Sequence, residues 1–376
     1  MSSPYLIEVL DLARKGAGRT SPNPAVGAVV VREDEVVGRG FHTWAGVRHA
    51  EIIALEEAGE RARGATLYIN LEPCSHQGRT GPCAQAAIDS GIARVVTIHQ
   101  DPNPLVAGKG IAMLREAGVE VEVAGERDAS LAREAELLNR AFFHFMRTGR
   151  PLVTLKSALT LDGKIAAPED NSGWITSEKA RAHVQMMRHS HDAIMTGIGT
   201  VLADDCMLTD RSGLERSRPL LRVVADSQAR LPLDSKMVQS CHGDVLVVCT
   251  SVAPAARRKQ LEDRGVEVLV ADRQGGRTDL AAIVRELASR RCLSLMIEAG
   301  SKMNWAALED GVADRVFFYY APKILGGLQS LPVAGGIGRR RRVDAIQLRE
   351  ICLHLVSADE FAVEGLVIKS EQAPAS

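Results

Sequence analysis

The chain has 376 residues, 45% hydrophobic and 25% charged, an ordinary globular composition, and at roughly 150 residues per domain its length calls for two domains. Lys and Arg total 46 against 47 Asp and Glu, so a formal charge of -1 offers no broad cationic field and disfavours extended DNA or RNA binding. The first residues lack the basic and apolar regions of a secretory signal, no run approaches ~18 uninterrupted apolar residues, and seven scattered cysteines make no disulfide framework, so a cytoplasmic protein without a membrane partner is expected.

In chain order, the patterns predict a helix over Tyr5 to Lys15, strands at Val26 to Val31 and Glu35 to Gly40, and a helix over His49 to Arg61. A strand at Thr66 to Leu71, a helix over Cys83 to Ser90, a strand at Arg94 to His99 and a helix over Gly110 to Glu116 follow. A strand at Val119 to Val123 and one long helix over Ala129 to Met146 close the first unit. The basic, glycine-containing segment Arg147 to Pro151 marks the boundary, dividing the chain into domains at 1–147 and 151–370.

Beyond it come aliphatic strands at Leu152 to Ser157, Ala193 to Thr196, Leu220 to Ala225, Val245 to Cys249, Val266 to Val270, Leu293 to Ile297 and Arg315 to Ala321. An antiparallel pair, Ile351 to Val356 and Phe361 to Ile368, ends the series, and Gly335 to Arg342 reads as flexible surface chain. Strands alternating with helices through both halves predict two α/β domains.

Three segments of the first half carry the chemistry. His49-Ala50-Glu51 opens a helix, Glu72-Pro73-Cys74-Ser75-His76 follows a strand, and Gly81-Pro82-Cys83 opens the next helix. One imidazole and two thiolates, His49, Cys74 and Cys83, form a three-ligand zinc set that leaves the fourth tetrahedral position for water. Glu51 is then free to move protons between that water and a substrate nitrogen. H-x-E followed by P-C and a second cysteine is the signature of zinc deaminases, here with the unusual spacing C-x8-C. Two alternatives stay open: a closed structural zinc with His76 as fourth ligand, and a nucleoside or nucleic-acid base deaminase with an accessory domain.

At this point the chain resembles the bifunctional riboflavin-biosynthesis deaminase/reductase family. The likeness rests on Ser21-Pro22-Asn23-Pro24-Ala25-Val26-Gly27, Gly40-Phe41-His42, the three segments above, and Gln100-Asp101-Pro102-Asn103-Pro104. It implies a cytidine-deaminase-like first domain of three layers that binds one Zn2+ and deaminates 2,5-diamino-6-(5-phosphoribosylamino)pyrimidin-4-one. It further implies that Asn23, His42 and His76 hold the pyrimidine or the ribose phosphate and that Arg79 is a phosphate contact.

In the second half, Gly197-Ile198-Gly199-Thr200 fails as a dinucleotide fingerprint because Leu202 occupies the third glycine position. Glu298-Ala299-Gly300-Ser301-Lys302, a strand running through a small-residue turn into a helix, is a better phosphate cradle. The same family resemblance extends over Leu155 to Ala166, Trp174 to Ser177, Gly197 to Asp205, Ala225 to Ser227, Ile297 to Gly300 and Tyr320 to Gly327. It implies a dihydrofolate-reductase-like domain that uses NADPH to reduce the ribosyl group, giving 5-amino-6-(5-phosphoribitylamino)uracil. Carried over residue by residue, Ala158, Trp174, Thr200, Asp204, Ser227, Gly300, Ser301 and Lys302 fall on cofactor positions. Ser172, Arg188, Leu208, Arg211 and Glu298 fall on positions for the phosphorylated pyrimidine. Lys156 and Asp162 are acid candidates by place alone, and a homodimer or tetramer is the assembly that the family suggests.

Overall fold

The structure, a computed structural model, describes residues 3–44, 47–75, 81–104, 106–169, 172–273 and 275–369. The chain divides into two compact units, 1–150 with 215–217 and 151–214 with 218–376. Among the described residues no helix is long and apolar enough to cross a membrane.

In the first unit, helix α1 (Pro4–Lys15) leads to β1 (Gly27–Arg32), β2 (Glu35–Phe41), α2 (Ala50–Ala58), β3 (Thr66–Leu71), α3 (Cys83–Asp89), β4 (Arg94–His99), α4 (Lys109–Glu116), β5 (Glu120–Val123), α5 (Ala129–Leu138) and α6 (Arg140–Thr148). The five strands form one sheet in the order β2-β1-β3-β4-β5, antiparallel around β1 and parallel from β3 to β5. Alternation in β1 sends Ala28 and Val30 into a core shared with α2, α3 and α4, and Val29 and Val31 to the opposite face, against α1. A sheet with helices on both faces makes three layers.

Glycine decides how close α2 lies. A Cβ on Gly38 would stand 2.1 Å from the Ala54 carbonyl oxygen and one on Gly40 2.1 Å from that of Ala50. Only a strand stripped of side chains there admits the helix that opens on His49.

The second unit contains β6 (Leu152–Thr160), β7 (Lys164–Ala166), α7 (Glu178–His189), β8 (Ala193–Gly197), α8 (Ile198–Asp204), β9 (Leu221–Ala225), α9 (Lys236–Gln239), β10 (Val245–Cys249), α10 (Ala255–Glu262) and β11 (Glu267–Val270). After the short pair β12 (Asp272–Arg273) and β13 (Arg277–Thr278) come α11 (Leu280–Ser289), β14 (Ser294–Glu298), α12 (Ser301–Glu309), β15 (Arg315–Ala321), β16 (Leu331–Pro332), β17 (Leu348–Leu355) and β18 (Phe361–Val367). Nine of these strands form a sheet ordered β11-β10-β9-β8-β14-β6-β15-β18-β17. Its first seven strands run parallel, and β18 and β17 finish it antiparallel. Buried on both faces, the middle strands read as continuous aliphatic runs, with α7 to α10 over one face and α11 and α12 over the other.

Two expectations are corrected. The helix expected over Ala129 to Met146 is two helices, because Asn139 leaves helical geometry (φ -107°, ψ 22°) and turns its amide to the backbone of Ala25. Gly335 to Arg342 is not free surface chain throughout. The Gly335 N–H donates to the Ser301 carbonyl at 3.1 Å, Gly336 packs on the Trp305 ring, and the Arg339 guanidinium lies 5.6 Å from that ring's centre.

Candidate functional site

His49, the residue before α2, Cys74, three residues past β3, and Cys83, the first residue of α3, converge in the first unit. The His49 Nδ1 is 3.2 Å from the Cys83 Sγ and 3.7 Å from the Cys74 Sγ, and all three ligand atoms lie within 4.8 Å of one another. Zinc–sulfur and zinc–nitrogen bonds of about 2.3 and 2.0 Å at tetrahedral angles put such atoms roughly 3.6 Å apart, so this donor set fits Zn2+. The Cys83 N–H donates to the Cys74 sulfur at 3.4 Å. The neighbouring Cys83 thiol, outweighing the burial that raises it, and the His49 ring hold Cys74 down to about 4, favouring a thiolate on that sulfur.

Glu51 stands in the first turn of α2, 4% exposed. Burial, then the negative charge on Cys74, pushes its carboxyl up to about 7, the range in which a carboxylate both takes and returns a proton. Its place outside the three-atom ligand cluster leaves it free for that work.

Asn23 and His42 join this centre. The Asn23 Nδ2 lies 3.2 Å from the His42 Nε2, the His42 Nδ1 lies 3.3 Å from the Arg48 carbonyl, and the His42 ring meets His49 edge-on at 5.4 Å. With Nδ1 donating to a carbonyl, Nε2 is the acceptor, and burial lowers the His42 pKa, so the ring is the neutral tautomer. His76 and Arg79 lie outside the described residues.

One residue of the motif has a part that sequence reasoning missed. Glu72 is 5% exposed, and its carboxylate accepts four backbone N–H bonds, from Asp101 and Gly108 on one oxygen and from Gly110 and Ile111 on the other, at 2.8 to 3.1 Å. It fastens the segment after β4 to the strand end that carries Cys74. The adjacency of Glu72 to Cys74 was the available signal, but amides carry no side-chain mark in a sequence.

In the second unit five of the eight expected cofactor residues lie beyond the carboxyl ends of parallel strands, where open α/β sheets place their ligands. Thr200 follows β8, Ser227 follows β9, and Gly300, Ser301 and Lys302 follow β14. A Cβ on Gly300 would lie 3.9 Å from the Thr200 Oγ1, so those two positions adjoin. Lys302 and Asp204 are exposed, and Ser301, buried, donates its hydroxyl to the Pro332 carbonyl at 2.5 Å. Ala158 lies half-buried in β6. Trp174 stands 68% exposed, with the Arg181 guanidinium 4.8 Å from its ring centre and its carbonyl accepting from the Lys323 Nζ.

Of the expected substrate residues, Glu298 and Arg188 meet each other. The Arg188 fork donates to both Glu298 oxygens at 3.0 to 3.2 Å and to the Thr209 carbonyl at 2.9 Å, and the Lys156 Nζ donates to Glu298 at 3.2 Å. Burial works to raise the Glu298 carboxyl, but these two cations hold it down to about 2. Leu208 is buried at φ 53°, a left-handed conformation uncommon for a leucine, while Arg211 and Ser172 are exposed. Asp162 is no proton donor at neutral pH. The Thr160 hydroxyl and the N–H groups of Leu325 and Gly326 bond its carboxylate and keep it at about 2.

Comparisons with known proteins agree with both halves. Residues 2–99 match the cytidine and deoxycytidylate deaminase zinc-binding region and residues 151–357 the RibD C-terminal domain. Riboflavin biosynthesis protein RibD of Actinobacillus pleuropneumoniae is 42% identical over 355 residues, covering 94% of this chain and 93% of its own. That of Escherichia coli strain K12 is 40% identical over 378 residues, covering 94% and 99%. Among solved structures, Acinetobacter baumannii RibD superposes with a TM-score of 0.86 at 35% identity, covering 97% of this chain and 98% of that one. A diaminohydroxyphosphoribosylaminopyrimidine deaminase/5-amino-6-(5-phosphoribosylamino)uracil reductase from Thermotoga maritima gives 0.82 at 34%, with the same coverage. With both domains matched and near-complete relatives at about 40% identity, the chain belongs to the RibD family of riboflavin biosynthesis, enzymes that join a zinc-dependent deaminase to an NADPH-dependent reductase.

Proposed function

We propose that this chain deaminates 2,5-diamino-6-(5-phosphoribosylamino)pyrimidin-4-one and then reduces the product's ribosyl group, giving 5-amino-6-(5-phosphoribitylamino)uracil. The observation that carries the reading is the His49, Cys74 and Cys83 triad with a buried carboxyl, Glu51, beside it and not among the ligands. When bound, zinc lowers the pKa of a water for attack on the ring carbon. Glu51 would take the first proton of that water and pass it to the ring nitrogen, then take the second from the hydroxyl now on the ring carbon and give it to the exocyclic amine, which departs as ammonia and leaves the carbonyl. Neutral His42 and Asn23 face the pyrimidine, and His76 and Arg79 serve the ribose phosphate.

In the second unit NADPH, when bound, supplies the hydride for the ribosyl C1 carbon. Ala158, Trp174, Thr200, Asp204, Ser227, Gly300, Ser301 and Lys302 orient the cofactor, and Ser172, Arg188, Leu208, Arg211 and Glu298 the substrate, so that donor and acceptor carbons meet. The exposed Arg211 suits the phosphate, whereas Arg188 acts through Glu298, which in turn holds Lys156. Lys156 is the proton donor favoured by place.

Glu51→Gln tests the first step. It should cut deamination by about 10²-fold or more, followed by ultraviolet absorbance of the diaminopyrimidine, with one zinc per chain kept and reduction of pre-deaminated substrate unchanged. Retained deamination, or loss of the zinc, would sink the assignment. A homo-oligomer is also proposed, since β17 is the last strand of its sheet and exposes Ile351, Leu353 and Leu355. Leu353→Asp should lower the mass measured by light scattering, and an unchanged mass would place the interface elsewhere. None of the seven cysteines is paired in a disulfide, which supports a reducing, cytoplasmic setting.

A further inference from the structure

Asn139 breaks a stretch whose apolar pattern is that of one helix, and its side chain bonds a segment 114 residues earlier. Its Oδ1 accepts from the Ala25 N–H at 2.8 Å and its Nδ2 donates to the Ala25 carbonyl at 2.8 Å, so the amide satisfies both backbone groups of a residue 4% exposed. Asn70, in β3, adds to the clamp, donating to the same carbonyl at 3.0 Å and accepting from the Gly27 N–H at 2.9 Å. A local preference overridden at a buried, fully bonded polar residue points to a constraint outside the helix.

That constraint lies two residues away from the clamp. Asn23 sits between Pro22 and Pro24, whose rings fix their φ angles, and its own N–H donates to the Thr20 carbonyl at 2.7 Å. The backbone from Thr20 to Ala25 therefore has little freedom once Ala25 is held. Its side chain then stands 3.2 Å from the His42 Nε2, beside the His49 ring. We infer that Asn139 is a positioning residue of the deaminase: by gripping Ala25 from the break between α5 and α6, it sets where the Asn23 amide meets the pyrimidine. The inference rests on the assignment of Asn23 as a substrate contact.

Asn139→Leu replaces the clamp with an apolar helix former, and Asn139→Ser, a smaller change, serves if the leucine variant does not fold. Each should raise the KM of deamination about tenfold, more than kcat falls, with one zinc per chain bound and the reductase constants unchanged. A purely structural role would lower the melting temperature and leave KM alone, and that result overturns the inference. Asn23→Ala should raise KM by itself, and adding Asn139→Leu to it should raise KM no further. Additive effects in the double variant overturn the coupling only, whereas a wild-type KM in Asn23→Ala overturns the substrate assignment and the inference with it.

Discussion

Glu51 and Glu298 are two buried carboxyls that their surroundings drive in opposite directions. Beside a thiolate Glu51 rises to about 7, and between Lys156 and Arg188 Glu298 falls to about 2. Because the folded Glu298 lies below its unfolded value of 4.5, its stabilisation is fully present above that pH and is lost as pH falls from 4.5 towards 2. Glu298→Gln should therefore destabilise the reductase unit by roughly 3–5 kcal/mol at neutral pH, since it removes the negative charge set between two buried cations, and flatten the acid limb of urea-unfolding curves between pH 4.5 and 2. An acid limb as steep as the wild type's would show that another group controls it. Glu72→Gln turns one oxygen that accepts two N–H groups into a donor facing them, at about 2–3 kcal/mol to the first unit, read as a lower urea midpoint. The convergence of His49, Cys74 and Cys83 near Glu51 was legible in sequence because these residues sit in short motifs on helix starts and strand ends. The Arg188 to Glu298 pairing was not, since its partners are 110 residues apart and each alone looked like a phosphate or substrate group.

At the scale of elements, most strands and helices were legible from aliphatic runs and 3.6-residue patterns, since a buried parallel strand needs little else. The break at Asn139 was hidden because a helix pattern records which side chains are apolar, not where a lone amide finds its partners. The packing of Gly335 and Gly336 on α12 was hidden for the converse reason: glycine-rich chain reads as loop whether or not another backbone lies against it. Close approach also yields a prediction. Gly40→Ala places a methyl 2.1 Å from the Ala50 carbonyl oxygen, so α2 must shift, carrying His49 and Glu51 with it. Bound zinc and deaminase activity should fall together while reduction persists, and metal analysis beside the two assays checks this. Full zinc with full deamination would show that the helix yields without moving its first turn.

For the whole molecule, two units with separate cores predict separable activities. Stripping the metal with a chelator should abolish deamination and leave NADPH-dependent reduction intact, and a parallel loss of both would reveal a dependence of the second unit on the metal. Near-neutral charge fits this division, because small phosphorylated ligands need a few placed cations and no basic face. The order of the nine-stranded sheet bears on how the protein is made. Strand β6 is the first of its unit to leave the ribosome, yet its neighbours β14 and β15 are nearly the last, with bonded partners 142 and 161 residues further on. The zinc unit has its full sheet by then, while β6 waits as an unpaired aliphatic strand for most of the remaining synthesis. On refolding from denaturant, zinc binding should return before NADPH binding, and nascent chains halted near residue 290 should engage chaperones through β6.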